Sequence, residues 1–441
     1  MAGKRKSQRP CNSRRAQFMN DRFGMFIHWG IYSLPSRGEW VLSNEELSLD
    51  DYRRYLLYFE PDLYDPKDWA RRARSAGMRH MVMTAKHHDG FCLWPTAETD
   101  FSVANTPYGK DLIEPFVDAC RSEGLAVGIY FSLIDWHHPD FSIDIFHPRR
   151  NDPKAADINA QCDVARYQAF MKAQVTELLS QYGDIDMLFM DFSYPSQTYN
   201  GLPGKGREYW DSEGLMQLVR KLQPNVMVNN RLDLLDHEAD FYTPECFVPD
   251  SPPKRDGKPV IWEAAFTMSE SWGYQRDEDT FKSPEQLIQV LINMVSLGGN
   301  LLMNVGPTGR GCLDDRDLQA LHVYTEWMRF HSRSIYGCGP SEFPNPKDCR
   351  LTQNGDRVYV HVFNWPYKHL HLKELGGKVK YAQLLNDASE VKWLPPGTRV
   401  TGEGEGLQGL DADDPPESTL ILTLPVKKPD TPVPVIELIL D

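Results

Sequence analysis

No two of the eight cysteines stand in a CxxC pair, so neither a cysteine-built zinc site nor a redox dithiol is indicated. Thiols scattered in this way predict reduced side chains rather than a disulfide frame. No GxGxxG follows the first strand-like run, which counts against a dinucleotide-binding sheet. The HxH pattern of barrel metallohydrolases is also missing from residues 21–340. No run of about 18 apolar residues occurs. The nearest stretch, 287–306, is broken by Gln289, Asn293, Ser296, the Gly298-Gly299 pair and Asn300, so no transmembrane helix is expected. The first residues carry many basic side chains but no apolar run, so no secretory leader is expected and a cytoplasmic location is the expectation. Positive charge is scarce overall: 48 Lys and Arg stand against 62 Asp and Glu, a formal net charge of −14. Such a chain is not expected to grip nucleic acid or an anionic membrane over a broad surface.

What is present suits a large folded chain. Of 441 residues, 41% are hydrophobic, enough to bury a sizeable core. The 11 tryptophans fit sugar rings, although burial in a core explains most tryptophans in any protein. Strand-like runs lie at 23–29, 80–87, 126–132, 186–192, 226–231, 240–245, 260–265 and 300–306. Most are apolar throughout, as strands covered on both faces are. Helical patterns fall between many of them, at 66–76, 111–123, 162–182, 285–297 and 315–329. The order predicts an α/β fold, a (β/α)8 TIM-like barrel, with a doubly wound open sheet as the alternative. After 340 the pattern turns to antiparallel strands at 358–363, 379–385, 418–424 and 434–440, with a Gly/Glu-rich loop at 402–409. The expected organisation is a disordered basic tail at 1–20, a catalytic barrel at 21–340 and a C-terminal β-sandwich at 341–441.

Barrel enzymes carry their chemistry at the C-terminal ends of the strands. Those ends hold His28, His87 and His88, Tyr130, Asp191, Arg231, Glu245, Glu263 and Asn304. Asp191 closes the run DMLFMD, and a carboxylate ending so apolar a strand needs partners or a task. Three histidines suggest a metal at first sight, yet His and Arg also supply the fixed donors that a polyhydroxylated substrate needs. Hydrolysis of a glycoside with retention needs two carboxylates roughly 5–5.5 Å apart, and Asp191 with Glu245 or Glu263 meets that need. Trp29, Trp40, Trp262 and Trp272 are candidate platforms for the apolar face of a sugar.

The motifs RFGMFIHWGIYS, GEW, AKHHDGFCLWPT, VGIYFS, LFMDF, VNNR, SWGY and GGNLLMNVGPTGRG run in order from about residue 20 to residue 335. Together they resemble the α-L-fucosidases of glycoside hydrolase family twenty-nine. The resemblance implies retaining hydrolysis of α-L-fucosides on fucosylated oligosaccharides or glycoconjugates, with no metal and no cofactor. It matches Asp191 to the nucleophile. It matches His28, Glu39, Trp40, His87, His88, Tyr130, Arg231 and Trp272 to the positions that hold fucose. Phe189 departs from many relatives, which have Trp there. Glu245, in YTPEC, resembles the acid/base of the branch that acts on α-1,3/1,4-linked fucose, and Glu263, in WEAAF, is its rival. Arg231 and histidine donors are expected to hold the Asp191 pKa down. A broad-specificity α-L-fucosidase, a non-catalytic carbohydrate-binding barrel and a metal-dependent hydrolase are the alternatives.

Overall fold

The computed structural model describes residues 11–234, 239–397 and 417–441. They fall into two compact units. Of these residues, one unit comprises 11–234, 239–247, 260–282 and 301–322; the other comprises 248–259, 283–300, 323–397 and 417–441.

The first unit is built on parallel strands: β1 (Phe23–Ile27), β2 (His80–Lys86), β3 (Ala126–Ser132), β4 (Met187–Asp191) and the short β5 (Met227–Val228). A small hairpin, β6 (Lys254–Arg255) with β7 (Lys258–Pro259), belongs to the second unit. The sheet resumes with β8 (Glu263–Thr267) and β9 (Asn300–Val305). Its seven strands run in the order β5-β4-β3-β2-β1-β9-β8, so neighbours in space are mostly neighbours in sequence. Helices between strands start where capping residues allow. Asp65 accepts from Lys67 N and Asp68 N ahead of helix Pro66–Ser75, and Asp163 does the same for Val164–Gln181.

The expected sixth strand, 240–245, forms no regular ladder. It makes isolated parallel bridges instead, Phe241 to Asn229 on one side and Tyr242 and Glu245 to Trp262 and Ala265 on the other. Pro244 has no N–H to give, which is one reason the ladder breaks. Alternate residues from the strands converge on one interior cluster: Phe26, Val82, Tyr130, Phe189, Met227, Phe241, Ala265 and Leu302.

Residues 11–20 differ from the expected frayed tail: Cys11–Asp21 is a helix, while 1–10 lie outside the described residues. Its basic side chains have partners in the fold. Arg14 Nη1 donates to Ile185 O at 2.9 Å and to Asn225 O at 3.1 Å, and Arg15 pairs with Asp240. Phe18 joins the interior cluster, with its ring 5.1 Å from that of Phe241.

In the second unit, helix Pro284–Ser296 opens on a reciprocal cap, Ser283 with Gln286, and a proline at its first turn. After it come β10 (Gly339–Pro340), β11 (Cys349–Asn354), β12 (Arg357–Val362), β13 (His369–Leu372), β14 (Val379–Leu384), β15 (Lys392–Leu394), β16 (Leu420–Thr423) and β17 (Val435–Leu440). They form two sheets, β10-β11-β12-β17-β14 and β13-β16-β15. Val358, Val360, Ile436 and Leu438 of one sheet share a core with Leu370, Leu372, Leu420 and Leu422 of the other, as the alternating pattern requires. The loop 402–409 lies outside the described residues.

Candidate active site

Asp191 is the last residue of β4 and is buried at 6% exposure. Tyr130 OH donates to its Oδ2 at 2.6 Å, and Arg231 Nη1 donates to its Oδ1 at 2.9 Å. His88 Nε2 lies 3.9 Å from Oδ2. The next residue, Phe192, has φ 86°, a left-handed conformation that a bulky side chain adopts only when its surroundings impose it. Phe192 is packed edge-on against His88 and Phe146. The strand therefore ends in a fixed kink that presents the carboxylate.

The pKa of Asp191 is not held down. Burial raises it to about 6, Arg231 pulls against that rise, and Glu245 adds to it. The histidines give little help as cations. Burial lowers His28 to about 3 and takes His87 and His88 well below the ordinary imidazole range. They are neutral hydrogen-bonding groups at physiological pH.

Arg231 comes from the 3-10 turn Asn230–Leu232 that follows the short β5. Thr243 fixes its far edge, taking Nε at 3.1 Å on Oγ1 and Nη2 at 2.7 Å on its carbonyl. The same Nη1 that reaches Asp191 also lies 2.7 Å from Glu245 Oε1. The two carboxylate oxygens are thus no further apart than those two contacts laid end to end. Glu245 itself is 42% exposed, and Cys246 after it has φ 46°. One carboxylate is buried and its neighbour opens to solvent.

Glu263, the rival carboxylate, sits elsewhere. It begins β8 instead of ending it, and its Oε1 pairs with His80 Nε2, at the start of β2, at 2.8 Å. Both side chains are 1% exposed. Glu263 therefore belongs to the N-terminal end of the strands, away from Asp191 at a C-terminal end. The strand 260–265 was expected to reach its end at Glu263; the sheet runs through 263–267 instead.

The remaining expected residues converge on Asp191. Because β2 stops at Lys86, His87 and His88 are not forced to opposite faces, and their rings lie 4.0 Å apart. His87 stacks on Tyr130 at 5.6 Å and 13°, and its Nδ1 is buried without a hydrogen-bond partner. His88 Nδ1 is held by Ser132 Oγ at 2.6 Å. His28 Nδ1 is held by Asn304 Oδ1 at 2.7 Å, and Trp272 lies 5.0 Å from the His28 ring. Trp40 packs edge-on to His88 at 5.0 Å. Glu39 is buried; its Oε2 accepts from Gly273 N at 2.7 Å, and burial raises its pKa. Phe189 is buried beneath the Arg231 guanidinium, which lies 5.7 Å from its ring centre.

Two of the four tryptophans named as platforms are core residues. Trp29 is buried against Phe59, Tyr64 and Trp69, and Trp262 is 2% exposed. Sequence reasoning missed Thr243, Asn229 and Ser132, which orient Arg231, the end of β4 and His88. All three lie inside motifs quoted above, VGIYFS, VNNR and YTPEC, but a neutral side chain carries no charge signal that would single it out. Asn304 stood out only as the end of β9. Among the described residues, no group of three or more His, Cys, Asp or Glu could hold a metal ion.

A buried carboxylate, a second carboxylate sharing its arginine, and a wall of neutral imidazoles and indoles define a glycoside hydrolase type of site. The alpha-L-fucosidase family model matches residues 4–333, three quarters of the chain, and the chain belongs to that family. It is similar to the solved alpha-L-fucosidase isoenzyme 1 from Paenibacillus thiaminolyticus, 40% identical, with a TM-score of 0.87 over 98% of this chain and 99% of that one. It is also similar to an alpha-L-fucosidase from Bacteroides thetaiotaomicron solved as a trapped covalent intermediate with 2-fluoro-fucosyl fluoride. That chain is 27% identical, with a TM-score of 0.79 and coverage of 100% and 98%. Human tissue alpha-L-fucosidase is 28% identical over 80% of this chain and 76% of its own length.

Proposed function

We propose that the protein is a retaining exo-α-L-fucosidase with Asp191 as nucleophile and Glu245 as acid/base. The observation that carries this is the single Arg231 nitrogen in contact with both carboxylates, which fits the roughly 5–5.5 Å spacing of retaining enzymes. In the first step an Asp191 oxygen bonds to the anomeric carbon as the bond to the leaving oxygen breaks. The Glu245 proton passes to that oxygen. In the second step Glu245 takes a proton from water, the water oxygen bonds to the anomeric carbon, and Asp191 departs as carboxylate.

Arg231 and Tyr130 stabilise the carboxylate before attack and after release. Neutral His28, His87 and His88, with Glu39, donate to and accept from the sugar hydroxyls, and Trp40 and Trp272 cover its apolar face. The strand bridges at 240–245 support a closed (β/α)8 frame beneath this site. The preference is for α-1,3/1,4-linked fucose on branched oligosaccharides, supported by Glu245 within YTPEC. A product assay over fucosylated oligosaccharides of different linkage tests both levels. Release of fucose from α-1,3 and α-1,4 linkages above α-1,2 is expected. Equal or better release from α-1,2 contradicts the linkage preference, and no fucose release from any of them contradicts the activity.

A further inference from the structure

Trp272 reaches the site from the irregular loop 268–278 that follows β8. The near end of this loop is locked by close approach. Asn304 Nδ2 donates to Trp272 O at 2.7 Å. A Cβ at Gly306 would lie 2.9 Å from Trp272 O, Gly273 C and Tyr274 N, so no side chain fits there. The middle of the loop pairs with the segment that leads into Glu39. Gly38 N donates to Tyr274 O at 3.2 Å, Arg276 N to Ser36 O at 3.1 Å, and Arg37 bridges Gln275. One arm of this ribbon carries Trp272; the other runs directly into Glu39 and Trp40.

The outer side of the ribbon rests on one guanidinium. Arg316 Nη2 donates to Gln275 O at 3.1 Å, and Nη1 donates to Glu278 O. Its Nε and Nη2 form a fork on Asp314 at 2.7 and 3.0 Å, and its plane lies 5.2 Å from the Phe281 ring centre. None of these partners is a side chain assigned above to sugar or catalysis. We propose that Arg316 is a positioning residue: by tying two loop carbonyls to Asp314 it fixes the ribbon and so sets Glu39, Trp40 and Trp272 against the sugar, resting on the assignment of those three side chains above. Lysine cannot replace it, because one ammonium cannot match the planar fork and reach both carbonyls.

Steady-state hydrolysis of an aryl α-L-fucoside tests this. Arg316→Ala and Arg316→Lys should each raise KM ~10-fold or more and leave kcat within ~3-fold, the signature of lost uniform binding, equal in ground and transition states. Millimolar guanidinium chloride should lower KM for Arg316→Ala alone. Trp272→Ala should raise KM, and the double variant should lose less than the product of the two single effects. Arg310→Ala, which removes an exposed fork on Asp62, should behave as wild type. If Trp272→Ala raises KM but neither Arg316 variant does, or if the two effects multiply independently, the positioning role is wrong. If Trp272→Ala leaves KM unchanged, the sugar-binding assignment fails and the proposal falls with it. Arg316→Lys keeps charge and bulk, so the test stands even if the alanine variant does not fold.

Discussion

At Asp191, burial outweighs an arginine, and the consequence is a pH limit. The nucleophile role proposed for Asp191 requires an ionised carboxylate, and the group titrates at about 6. The kcat/KM should therefore fall about tenfold per pH unit below that value, since it reports the free enzyme. A profile flat down to pH 4 would show that Asp191 is not the group being titrated, or is not needed. The buried pair His80–Glu263 predicts a different pH effect, on stability. Glu263 raises the His80 pKa against burial. A histidine whose folded pKa is raised adds stability that is fully present below its unfolded value of 6.5 and is lost as pH rises through the folded value. Denaturant unfolding of Glu263→Gln should show its largest deficit below 6.5 and a smaller one above the raised value, with kcat near wild type. A kcat loss rescued by azide would instead make Glu263 the acid/base. Asp191 was legible in the sequence because a lone carboxylate ends an apolar strand. Glu263 was misplaced because nothing in VIWEAAFT says which end of the strand the glutamate occupies.

Elements were legible where capping and apolar runs agree. Helices 66–76 and 162–182 and the strands β12, β14, β16 and β17 lie within a few residues of their expected positions, whereas β10, β11, β13 and β15 were not expected. Failures occurred where tertiary contacts decide. The helix Cys11–Asp21 has few apolar residues, so its sequence reads as a tail; buried Phe18 and the contacts of Arg14 and Arg15 order it. The segment 240–245 reads as a strand by composition, yet Pro244 and the kink at Cys246 leave it only bridges. Phe18→Ala should cost about 3–5 kcal/mol in denaturant unfolding, the usual cost of truncating a buried phenylalanine. Loss of less than ~0.5 kcal/mol, the size of an ordinary surface substitution, would mean that the helix contributes little to the first unit.

For the whole molecule, the motifs that suggested the family are those that the fold collects around one carboxylate, although they are spread from His28 to Asn304. The supporting residues stayed hidden because threonine, serine and asparagine carry no charge pattern. The proposed division of labour between the two carboxylates is testable by kinetics. Glu245→Ala should cripple cleavage of oligosaccharides, whose leaving groups need a proton, and spare much of the first step on fucosyl fluoride, whose leaving group does not. Equal losses on both substrates would remove Glu245 from the acid/base role. The most direct test of the central claim is mass spectrometry of the intact protein and its peptides after reaction with 2-fluoro-fucosyl fluoride. One fluorofucosyl group on the peptide that contains Asp191, absent from Asp191→Ala, is the predicted result. A label on another residue, or steady turnover with no label at all, would contradict the assignment.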